Sequence, residues 1–140
     1  MKFPVDKIVS LLILIVAALS ACTSSLPKMQ VATPEQLASS KGYSIVEVVK
    51  GIRNYHIDGW NTVSNTALII HGGVSERYLV TLRRRCIGLS MAEFIATSST
   101  AKELTRFDTV IFKNGSEDFR ENCAIKKIYR LQKMNHHSNS

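Results

Sequence analysis

Downstream of Lys41 the apolar residues come in short runs separated by turn residues, the spacing of strands rather than of long helices. Arg77 to Arg83 (RYLVTLR) alternates, with Tyr78, Val80 and Leu82 on one face and Leu79 and Thr81 on the other. Ahead of it, Ala67 to His71 (ALIIH) is an apolar run that ends at Gly72-Gly73, a hairpin connection into the next strand. Tyr55 to Val63 reads as extended and carries Ile57, Gly59 and Trp60. Leu104 to Lys113 (LTRFDTVIFK) stops at the turn dipeptide Asn114-Gly115, and Cys123 to Leu131 is the last strand. Ser44 to Val49 (SIVEVV) fits a strand or the start of a short helix, and Cys86 to Ile95 holds a short helix or 3₁₀ turn beginning at Ser90. Pro34 to Leu37, with Thr33 as N-cap, predicts one or two helical turns. The expected fold is therefore mainly β, a small antiparallel sheet or barrel of five to six strands with one or two short helices.

The first 22 residues follow a different pattern. Lys2 and Lys7 precede an apolar stretch, Ile8 to Leu19, followed by Ser20, Ala21 and Cys22, the charge and size profile of a secretory signal. A membrane-spanning helix needs about 20 apolar residues, more than Ile8 to Ala21 supplies. Leu19-Ser20-Ala21-Cys22 resembles the lipobox of bacterial lipoproteins, whose cysteine takes a diacylglyceryl thioether and becomes the mature N-terminus. Thr23 and Ser24 follow, not the aspartate associated with inner-membrane retention, so the expected address is the periplasmic face of the outer membrane. The expected domains are a signal peptide at 1–21, a flexible tether at 22–40, a β-rich periplasmic domain at 41–133 and a polar tail at 134–140.

The 140 residues leave room for one ordinary core. Eighteen Lys and Arg against eleven Asp and Glu give a formal +7, and losing Lys2, Asp6 and Lys7 with the signal still leaves +6 on the exported chain. Once Cys22 carries lipid, Cys86 and Cys123 remain in an oxidising compartment, where a disulfide is the expected outcome.

No catalytic residue is singled out. His71-Gly72-Gly73 has the form of an esterase oxyanion turn, but a G-x-S-x-G nucleophile elbow is missing and the motif reads as a plain hairpin. His56 and Asp58 would share a strand face as base and orienting carboxylate, with no serine placed to use them. His136-His137 in the tail, and Glu117, Asp118 and Glu121 near a turn, are too sparse for a metal site, so neither metal nor cofactor is expected. Arg83, Arg84 and Arg85 precede one cysteine, and Lys126, Lys127, Arg130 and Lys133 follow the other, so a disulfide would draw two basic clusters together. Such a patch either binds an anionic envelope ligand or guards strand edges against aggregation. Trp60, Tyr78 and Tyr129 form either an aromatic platform or part of the core.

Ile57-Asp58-Gly59-Trp60, Tyr78-Leu79-Val80-Thr81-Leu82 leading to Cys86 and Leu89, Asp108-Thr109-Val110, and Cys123 to Tyr129 together resemble a family of small proteobacterial lipoproteins and secreted proteins classed as a domain of unknown function. The resemblance spans about Gly51 to Leu131; it implies a β-rich periplasmic domain with a Cys86–Cys123 bridge and brings no catalytic or ligand residues. The expected function is a lipid-anchored, non-enzymatic binding or structural module of the cell envelope. The alternative is a binder of an anionic envelope ligand or glycolipid through the basic patch. The expected partners are the membrane, through the lipid, and an envelope protein or anionic glycolipid, with nucleic acid excluded by compartment and the oligomeric state open.

Overall fold

In the computed structural model, which describes residues 30–53, 56–100, 102–115 and 120–135, a six-residue helix α1 (Pro34–Ser39) is followed by nine strands. These are β1 (Tyr43–Val49), β2 (Gly51–Arg53), β3 (Ile57–Ser64), β4 (Ala67–Gly72), β5 (Glu76–Leu82), β6 (Phe94–Thr97), β7 (Glu103–Thr105), β8 (Thr109–Lys113) and β9 (Arg120–Lys133). The expected signal peptide, Cys22, the first part of the tether (22–29), Glu117, Asp118 and His136-His137 lie outside the described residues. Six strands run in the order β3-β4-β5-β9-β8-β6 as a curled antiparallel half-barrel, β1 also pairs with β9, and β2 and β7 form a separate ribbon. The mainly β architecture read from the strand pattern is the one observed.

The fourteen-residue strand β9 organises the sheet. One of its edges pairs with β5, from Arg77 opposite Leu131 to Leu82 opposite Ile125. Its other edge is shared by two strands in tandem. β8 occupies Arg120 to Ala124, and β1 occupies Ile128 to Lys133. Between them the Ile125 N–H bonds only as far as the Asp108 carbonyl, at 3.1 Å. There β1 turns away into β2, and the ribbon partner β7 leads back into β8.

Both faces of the central strands are covered, which accounts for the unbroken apolar run in β4. Leu68 and Ile70, with Tyr78, Val80 and Leu82 of β5, face the larger core, which also takes Ile52 and Leu104 from the ribbon and Leu89 from the 3₁₀ turn Ile87–Met91. Ala67, Ile69 and Leu79 face the opposite way, against Ala38 of α1, Tyr129 and Leu131. The two faces assigned to Arg77–Arg83 by alternation are those seen.

A helix of six residues is too short to persist alone. Here Pro34 stands in the first turn and Thr33 forms a capping box with Gln36, its hydroxyl accepting from the Gln36 N–H while the Gln36 side chain accepts from the Thr33 N–H at 2.9 Å. Fully buried Ala38 then pins the helix to the sheet. The compact unit thus begins at Ala32, inside the segment expected as flexible tether, because Leu37 and Ala38 have a sheet face to cover.

Four local features differ from the strand pattern. Leu104–Lys113 is broken, because the Asp108 carboxylate accepts from the Thr105 N–H (2.7 Å) and hydroxyl (2.8 Å) and closes a turn over Arg106 and Phe107. The 3₁₀ turn starts at Ile87, earlier than Ser90. β6 is too short to show a period, and β2 depends on a close approach. A Cβ on Gly51 would stand 2.9 Å from the Leu104 carbonyl oxygen, so only glycine lets the ribbon close.

Candidate functional site

Cys86, in the loop after β5, and Cys123, on β9, are fully buried and joined by a disulfide with Cα atoms 6.4 Å apart. Glu121 lies beside them, accepting the Gly88 N–H at 2.8 Å and meeting Arg84 Nη1 at 3.5 Å. One carboxylate oxygen and the two sulfurs fall within 4.8 Å of one another, a donor set that resembles a metal site. The sulfurs are bonded to each other and the carboxylate is committed to the 3₁₀ turn, so these residues do not fit a metal in this state.

The basic residues singled out in the sequence divide by what their donors reach. Arg83 Nε donates to the Ile125 carbonyl at 3.1 Å, and Arg84 Nη2 to the Asn122 carbonyl at 2.9 Å, so both sew the loop to β9. Arg130 pairs with Glu47 across the β9–β1 ladder at 2.9 Å. Arg85, Lys126 and Lys127 are exposed. The two clusters do approach each other, but three of their cations, Arg83, Arg84 and Arg130, are bonded to the fold itself. A long side chain at the end of a strand finds unpaired carbonyls on its neighbour, and a linear motif does not reveal that.

Trp60 and Tyr78 do not form an exposed platform. Tyr78 is 8% exposed in the larger core, Trp60 packs against the same core, and Tyr129 lies on the opposite face of the sheet. The Tyr78 hydroxyl donates to Glu76 at 3.1 Å, and burial, followed by that bond, raises its pKa.

Asp58, read as the orienting carboxylate for His56, instead accepts the Gly73 N–H at 2.8 Å and secures the hairpin turn, where Gly73 has a φ of +74°. The Asn61 amide nitrogen lies 3.0 Å from His71 Nε2, which accepts as in a neutral imidazole. Burial, and then nearby Arg77, lower the His71 pKa below its ordinary 6.5. The unfolded chain therefore takes up this proton first as pH falls. The His71 contribution is complete above about pH 6.5 and declines as pH drops toward the lowered native value. A melting-temperature profile is expected to fall on its acidic side from the mid-sixes, and His71→Asn is expected to flatten that limb.

Where β1 and β8 leave the shared edge of β9, the chain opens into a groove of about 440 Å³ lined by Val48, Val49, Lys50, Arg106, Phe107 and Lys127. Val48 and Phe107 are 60% and 79% exposed. The Arg106 guanidinium lies 4.9 Å from the Phe107 ring centroid. The lining holds three cations and no carboxylate, and none of the three makes an ion pair among the described residues. Of its cations only Lys127 stood among the candidate residues of the sequence. Lys50 and Arg106 carry no linear signal beyond their charge. Chemically, the groove can receive an apolar group and an anion side by side.

The fold and its bridge define a disulfide-stapled, mainly β domain. The chain belongs to DUF6491, a family of unknown function, whose model matches residues 6–139. The resemblance to a domain of unknown function drawn from Gly51 to Leu131 thus holds over a longer stretch. No curated protein and no solved structure matches the chain.

Proposed function

We propose that the protein is a lipid-anchored, non-enzymatic module of the cell envelope, held through Cys22 at the periplasmic face of the outer membrane, that binds or supports an envelope component. The observation that carries this is the disposition of its three cysteines. One stands in a lipobox-type sequence behind an apolar signal, and the other two are closed on each other inside the core, as an oxidising compartment favours. Two or more acyl chains on Cys22 would make release from a bilayer negligible. The non-enzymatic role is supported by what the acidic groups do: Asp58, Asp108 and Glu121 all accept bonds that hold turns in place.

Intact-mass measurement of protein extracted from membranes tests this. The expected species begins at acylated Cys22 and gains two hydrogens on reduction, and Cys22→Ser is expected to move the protein to the soluble fraction. An unlipidated chain with two free thiols would overturn both the anchor and the compartment.

A second reading, binding of an anionic envelope ligand, is favoured by the groove. It shifts the binding cations from Arg83, Arg84 and Arg130 to Lys50, Arg106 and Lys127.

A further inference from the structure

We infer that the groove beside β9 is a docking surface for the anionic phospholipid headgroups of a bilayer, with Phe107 entering the interface while Lys50, Arg106 and Lys127 meet the phosphodiesters. The assignment rests on the envelope role proposed above, in which the domain is held beside a membrane, and it names the ligand of the second reading.

Charge complementarity selects the occupant. The lining presents three cations without a carboxylate, while Arg130 close by on β9 already has Glu47 as its counter-ion. A neutral apolar partner would cover the three cations and leave them uncompensated. A small soluble anion would leave Phe107 and Val48 in water. An anionic bilayer surface satisfies both, since its phosphodiesters attract lysine and arginine while its acyl boundary accepts an aromatic ring. Arg106 and Phe107 sit together in the turn closed by Asp108, where the Phe107 ring is 79% exposed. Lysine and arginine stems lie along apolar surface while their charged heads stay at the headgroup level. The turn is rigidly tied, since Asp108 accepts two bonds from Thr105 and its N–H returns to the Thr105 carbonyl at 3.1 Å. Docking therefore costs little ordering of the backbone.

The test uses the mature protein, carrying Phe107→Trp, reconstituted with vesicles of phosphatidylcholine alone or mixed with phosphatidylglycerol, each containing brominated lipid. The parent, whose only tryptophan is the half-buried Trp60, sets the baseline. The expected result is quenching of the introduced indole at least twofold stronger in the anionic vesicles. Lys50→Glu, Arg106→Glu and Lys127→Glu together are expected to return it to baseline, and the three glutamine substitutions to lower it partway. Retention of the disulfide and of the far-UV spectrum certifies the fold of each variant.

Equal quenching in neutral vesicles would overturn the anionic specificity, and quenching no greater than the baseline in both would overturn docking altogether. In the latter case, concentration-dependent self-association lost on the charge reversals would assign the face to a second copy of the chain. Flotation with neutral vesicles reports the lipid anchor separately, so loss of flotation counts against Cys22 lipidation while quenching in anionic vesicles still decides the docking surface.

Discussion

Cys86→Ser with Cys123→Ser, or reduction of the native protein, is expected to lower the stability of the domain by about 4 kcal/mol. The bridge closes a loop of 37 positions, and the chain-entropy relation for that length yields about 3.8 kcal/mol at 25 °C. A small domain commands roughly 5–15 kcal/mol in all, so the bridge supplies a substantial share of the margin. The position of the bridge sharpens the expectation. It ties the loop after β5 to β9 where the Arg83 N–H bonds the Ala124 carbonyl at 2.9 Å and the Cys86 N–H bonds the Asn65 carbonyl at 2.7 Å. Releasing it frees the 3₁₀ turn, whose Leu89 fills the larger core. Thermal unfolding with and without reductant is the measurement, and a fall in melting temperature of about 20 °C is expected for a domain of about 100 residues. A fall of only a few degrees would mean that Arg83, Arg84 and Glu121 hold the loop to β9 without the bridge.

Phe112→Ala is expected to cost about 3–5 kcal/mol. Phe112 is 1% exposed and heads the fully buried side chains by volume. It sits on β8, whose outer neighbour is the four-residue strand β6. Its removal leaves a cavity whose walls belong to paired strands and to the disulfide-bonded segment of β9, which cannot collapse without breaking ladder bonds. Phe107→Ala is the matched control. At 79% exposure that ring contributes little to the fold, and stability is expected to stay within about 0.5 kcal/mol. Urea unfolding of both variants, with midpoints compared at unchanged slope, measures the contrast. Equal losses at the two positions would show that Phe107 is part of the folded core, and the groove would lose its claim to be a binding surface.

The alternation in Arg77–Arg83, the apolar run in Ala67–His71 and the Gly72-Gly73 turn are local signals. Each was legible because side chains alternate across a strand whatever it pairs with. The cysteine pairing was legible by count, since the expected lipid modification of Cys22 would leave two. The ribbon and β6 were not legible. Strands of three or four residues are too short to display a period, and β2 closes only because Gly51 allows contact with a carbonyl that lies about fifty positions away.

Composition and local pattern alone thus determined the mainly β class, the faces of the central strands and the bridge. Tertiary structure decided which of the positive charges are free. Arg83, Arg84 and Arg130 look available in the linear chain, yet they meet β9 carbonyls or a β1 carboxylate supplied by distant strands. Lys50, Arg106 and Lys127 are remote from one another in sequence and become neighbours only because β1 and β8 share one edge of β9 and both depart from it at the same place. The physical reason is the same in both cases. A strand's own sequence sets which face its side chains take, whereas the partner at its edge is chosen by the whole sheet.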